Sequence, residues 1–159
     1  MERSRTTTPN VELELFLALA RAYATATRRF DGRLGAWHGI GFADFAILLQ
    51  LHRAPDRQLR RVDLAEQLGL TASAVTRALI PLEKIGLVSR KADPNDARVS
   101  YATMTAAGRR VLEESLESAG AISREIVGHD DELVGDCAAF LAGMAGGEPQ
   151  RRPVKSRAR

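Results

Sequence analysis

The stretch LAEQLGLTASAVTRALIPLEKIGLVSRKADPNDARVSYATMTAAGRRVL, residues 64–112, holds a short helical pattern, a glycine, a second helical pattern, two β-prone runs around a turn cluster, and the start of another helix. Val62, Leu64, Ala65 and Leu68 mark a short helix, and Gly69 stops it because glycine reaches positive φ freely. Thr71 is a good N-cap for the next helix, where Val75, Leu79, Leu82 and Ile85 form an apolar stripe that Gly86 closes. Pro81 lies inside this helix and cannot donate to the carbonyl of Arg77, which predicts a kink or a locally opened ladder. LVSRK and VSYATM have high β propensity and flank DPND, whose residue types favour a turn, so a hairpin with a loop of about five residues is expected.

On the N-terminal side, Leu15, Leu19, Ala22, Tyr23, Ala26 and Phe30 recur at helical steps and predict a long amphipathic helix. Gly32, Gly35, Gly39 and Gly41 punctuate the chain around Trp37, before a second helix from about Phe42 to His52 that Pro55 ends. On the C-terminal side Thr105 caps a helix with Leu112, Leu116, Ala119, Ile122 and Ile126 on one face. Asp130 or Asp131 caps a last helix lined by Leu133, Cys137, Phe140, Leu141 and Met144. The expected fold is mainly α with a small β-hairpin: a winged helix-turn-helix domain over about 42–104, with N- and C-terminal dimerisation helices over about 11–36 and 105–145. Residues 1–10 read as a flexible N-terminus, 11–145 as a single domain, and 146–159 as a disordered basic tail without apolar periodicity.

A chain of 159 residues, 45% hydrophobic and 27% charged, supports one domain with a real core. The net charge of +3 is unevenly laid out: residues 53–98 carry nine basic against six acidic groups, and 99–145 carry three against eight. An anionic partner is therefore expected to meet the middle of the chain. Cys137 is the only cysteine, which excludes an intramolecular disulfide and fits a reducing compartment, and no apolar run is long enough for a span, so a cytoplasmic protein is expected. His38, His52 and His129 make no metal-ligand spacing, and neither a nucleophile elbow, an HExxH motif, a phosphate loop nor a dinucleotide glycine pattern occurs. The reading is accordingly no enzyme, no metal and no cofactor.

Two helices joined at Gly69 form a helix-turn-helix, whose second helix can enter a major groove about 12 Å wide with its N-terminal residues toward the bases. Those residues are Thr71, Ser73, Thr76 and Arg77, hydroxyls and a guanidinium that suit phosphates and, for Arg77, guanine. Taken alone, the helix pair favours a plainer account in which Thr71 only caps and Arg77 is only solvated. The hairpin reverses that weighing, because a wing after a helix-turn-helix brings its tip beside a minor groove, where narrow A·T tracts attract arginine. Arg98 is the candidate probe, oriented by Asp96, and Arg53, Arg57, Arg60, Arg61, Arg90 and Lys91 are candidates for phosphate contact.

At these residues the chain resembles the MarR family of winged-helix transcription regulators. The leucine-alanine pair at residues 64 and 65, the threonine-arginine pair at 76 and 77, LEKIGLV, the DPxDxR wing and the TxAG opening of the next helix carry the resemblance, which extends over roughly residues 11–145. One departure is Ala97, where many members have a second wing arginine. The resemblance implies a homodimer built from the first, fifth and sixth helices on an inverted-repeat operator in double-stranded DNA. Those helices also carry more apolar surface than one small winged-helix core could cover. It further implies a ligand-responsive repressor sensing a small aromatic or phenolic effector near Tyr23, Phe30, Trp37, His38, Phe42 and Phe45, although core packing is the simpler account of each aromatic residue. Two alternatives stay open: a winged-helix module that binds protein, and a thiol redox sensor through Cys137, which more simply fills an apolar stripe as a buried side chain.

Overall fold

The computed structural model describes residues 10–93 and 99–146. Asp96 and Arg98, the segment before Asn10 and the tail from residue 147 lie outside the described residues. Helix α1 spans Val11–His38, and its N-cap Asn10 accepts a hydrogen bond from the Leu13 amide at 2.9 Å. The helix runs through Gly32 and Gly35 instead of stopping near residue 36, and ends at Gly39 with φ +69. Packing overrides the glycine penalty of about 1 kcal/mol per residue here, since Phe30 and Leu34 bury themselves on either side of Gly32.

Helix α2 spans Phe42–Arg53 and turns away from α1 by 77°. Two carboxylates hold that corner: Asp31 accepts from the Phe42 amide at 2.8 Å, and Asp44 accepts from the Gly41 amide at 3.0 Å. Phe45, Ile47, Leu48 and Leu51 of α2 are all buried, as expected of a helix with apolar residues around most of its circumference. A 3₁₀ turn over Pro55–Arg57 follows, with Asp56 and Arg57 both left-handed at φ +53 and +54.

Strand β1, Gln58–Arg60, then pairs antiparallel with β3, Ser100–Met104, which pairs in turn with β2, Val88–Ala92. The hairpin is thus part of a three-stranded sheet of order β1-β3-β2, a correction to the expectation of a hairpin alone. Leu59 stands opposite Ala102, Val88 opposite Met104, and the Asp93 amide donates to the Val99 carbonyl where the wing opens.

Helix α3, Arg61–Leu68, ends at Gly69 with φ +63, and α4, Ala72–Lys84, begins at Thr71, whose hydroxyl accepts from the Ala74 amide at 3.1 Å. Val75, Leu79 and Leu82 of α4 are buried, whereas Ile85 lies past the helix end and is 58% exposed, so the apolar stripe is one residue shorter than its spacing suggests. Pro81 remains within α4 on an exposed stretch, where solvent reaches the carbonyl it leaves without a donor. Helix α5, Ala106–Val127, is tied to the sheet by Thr105, whose hydroxyl donates to the Gly86 carbonyl at 2.7 Å and accepts from the Gly108 amide at 3.0 Å. Up to Ile122, Leu34, Leu48, Leu51, Leu64, Val75 and Leu112 make up the centre of the core at 0% exposure.

From Ser123 onward the chain holds the end of α5 and helix α6, Asp131–Ala145, which Asp130 caps by accepting from the Leu133 amide at 3.0 Å. No residue of α6 is buried, and Leu133, Phe140, Leu141 and Met144 face solvent. Cys137 is exposed, contrary to the expectation of a buried side chain, because nothing among the described residues covers its stripe. Among the described residues no single helix is long and apolar enough to cross a membrane.

Candidate nucleic-acid interface

Gly69 sets the geometry of the interface: its left-handed backbone lets the Leu70 amide return to the Ala65 carbonyl at 2.8 Å, which reverses the chain between α3 and α4 within three residues. The buried Val75, Leu79 and Leu82 fix one face of α4 in the core, so its other face is presented outward. Ser73 and Arg77 lie exposed on it, four residues apart and hence neighbours on the helix surface. Thr71 is spent on its cap. Thr76 donates to the Ala72 carbonyl at 2.9 Å and is approached by Arg61 Nη1 at 3.5 Å, so its hydroxyl proton is already used within the helix.

The basic candidates divide in the same way. Arg53, Arg57 and Lys91 are exposed, and Arg57 lines a shallow polar depression with His52, Ala54 and Asp56. Arg90 faces Glu83 at 3.4 Å, an exposed pair of small energetic weight. Arg60 donates through Nε to the Tyr101 phenol oxygen at 3.3 Å, with its guanidinium 5.9 Å from the centre of that ring. The hydrogen bond from Arg60 to Tyr101, and then the coulombic attraction to the same group, raise the guanidinium above its ordinary pKa. The phenol in turn donates to Asp93 at 3.2 Å. Tyr101 was not singled out by the sequence, where it is only one residue of a β-prone run; its partners are 41 and 8 positions away.

The six aromatic and histidine candidates for an effector site differ in burial. Phe30 and Phe45 are buried, and Phe30 packs on Phe42 with ring centres 4.7 Å apart. Tyr23 and Trp37 are 64% and 58% exposed, with Arg33 stacked over Trp37 at 5.0 Å. His38 Nε2 lies 2.9 Å from the Ser118 hydroxyl, which joins α1 to α5; Ser118 carries no signal in the sequence beyond its position on a helix. Among the described residues no group of three ionisable side chains could hold a metal ion.

The order of these elements, helix, strand, helix, tight glycine turn, helix and two-stranded wing, is that of a winged helix-turn-helix, and residues 43–100 match the model of the MarR family. Its fold is that of the MarR family regulators. It is 29% identical to the Bacillus subtilis HTH-type transcriptional regulator MhqR over 130 residues, 81% of this chain and 88% of that protein. The MarR family regulator Sco3205 of Streptomyces coelicolor, solved in complex with DNA, superimposes with a TM-score of 0.79 at 24% identity over 91% of this chain and 92% of its own. CouR of Rhodococcus jostii RHA1, solved with p-coumaroyl-CoA, gives a TM-score of 0.74 at 20% identity over 87% and 96%. Within the MarR fold the matched segment runs from α2 to β3 and contains the whole of α4 and β2.

Proposed function

We propose that this protein is a transcription regulator that binds an inverted-repeat operator in double-stranded DNA as a homodimer. Each protomer lays α4 in a major groove and sets its wing at the adjacent minor groove. The observation that carries this reading is the pairing of a buried face of α4 with an outward Ser73 and Arg77, directly followed by a β-wing. Arg77 reads a base edge, Arg53, Arg57 and Lys91 meet phosphates, and Arg98 probes the minor groove with Asp96 beside it. The DNA complex of Sco3205 supports the same use of the fold here. Leu13, Phe16 and Leu17 on α1, and Leu133 and Phe140 on α6, are the apolar surfaces a second copy covers.

A small phenolic effector is the second part of the proposal, supported by the ligand of CouR and by the aromatic residues of α1 and α2. Its binding relieves repression by favouring a lobe spacing that no longer fits the operator. Selection of bound sites from a random duplex library tests the reading. An inverted repeat is the expected product, with affinity that falls steeply as salt rises and with discrimination lost in Arg77→Ala. A stable monomer that enriches no sequence would refute it.

A further inference from the structure

The sheet that carries the wing has a polar tie across it. Tyr101 sits on the central strand β3, opposite Arg60 on β1 and opposite Lys91 on β2. Its phenol oxygen accepts from Arg60 at 3.3 Å and donates to Asp93 at 3.2 Å, and Asp93 is the residue whose amide closes the hairpin on Val99 at 3.0 Å. One oxygen therefore links the edge strand that leaves the α2 turn to the Asp93–Val99 hydrogen-bonded pair of the hairpin. The Arg60 guanidinium also lies over the Tyr101 ring, so its direction is fixed by two contacts to the same side chain. Arg60 is otherwise solvent-exposed and precedes a partly exposed first turn of α3. Nothing in the core requires this arrangement: the buried residues of the sheet are Val88, Ala102 and Met104, on the opposite pleat from Tyr101 or farther along the strands.

We propose that Tyr101 is a positioning residue for the DNA-binding surface, holding the root of the wing to β1 and aiming the Arg60 guanidinium. This inference rests on the DNA-binding reading above. It also reassigns Arg60, which acts on DNA through the sheet and Tyr101 and not as an independent phosphate contact. A tie of this kind removes wing conformations that do not fit a groove before DNA arrives, so its loss appears in specific affinity more than in stability.

The test uses the full chain and a duplex enriched from the random library, with a scrambled duplex as control. Tyr101→Phe removes only the oxygen. It is expected to weaken binding to the enriched duplex about fivefold, to leave the scrambled duplex and the salt slope unchanged, and to add nothing in an Arg60→Met background. Hydrogen exchange at the Asp93 amide should accelerate in the same variant while that at the α4 amides does not, which reads the tie without DNA. Equal affinities of wild type and Tyr101→Phe, additive effects with Arg60→Met, or unaltered exchange at Asp93 would each overturn the positioning role and leave the DNA-binding reading intact. Failure of the wild-type chain to bind any duplex, with exchange accelerated as expected, would overturn the DNA-binding reading and with it the role assigned to the tie.

Discussion

A Cβ at Gly108 would overlap the Leu87 carbonyl oxygen and crowd Met104, because α5 starts hard against the residue that leads into β2. Gly108→Ala is therefore expected to cost about 1–3 kcal/mol, read as a lower midpoint in thermal or urea unfolding. Thr105→Val removes the cap from the Gly108 amide and the bond to the Gly86 carbonyl together, and should cost about 1–2 kcal/mol in the same measurement. Both residues were legible as parts of a TxAG motif, and Thr105 as a cap. The close approach at Gly108 was not, since the neighbour it meets is 21 residues earlier. Ser115 escaped notice for a similar reason: its hydroxyl is buried at 0% exposure and satisfied by the Leu112 carbonyl of its own helix, so a polar letter conceals a core position.

For α4 the stripe and the capping threonine were readable because a helix packed on one side writes its period into the sequence. Thr71→Ala should destabilise the domain by about 1 kcal/mol, measured by denaturant titration, with α3 unaffected in far-ultraviolet spectra. Arg77→Ala should lose about 1–3 kcal/mol of discrimination between the operator and single-base variants, while Lys91→Ala should weaken all duplexes alike and flatten the salt slope by about one. Strand β1 was not readable. Gln58, Leu59 and Arg60 show no alternation long enough to count, and they are extended because β3 offers them a free edge and the left-handed Asp56 and Arg57 deliver them to it. The continuation of α1 through two glycines belongs to the same class, where tertiary burial of Leu34 outweighs a local preference.

Among the described residues, many of the exposed large apolar side chains lie on α1 and α6, both largely outside the segment matched by the MarR model. A Phe140→Glu substitution is expected to turn a dimer into a monomer in sedimentation experiments with helix content retained, and to weaken operator binding about a hundredfold as the second half-site becomes a separate event. The terminal helices α1, α5 and α6 were legible as amphipathic patterns, yet their stripes alone did not say what covers them. Cys137 was misplaced on that account. Thr105 stitches residues 86 and 87 to the head of α5, so both ends of the β2–β3 hairpin leave from one stapled point. On the proposed DNA-binding reading, exchanging the span from 88 to 104 for the corresponding span of a relative is expected to carry over that relative's minor-groove preference while the flanking helices keep their seats, which site selection on the chimaera checks.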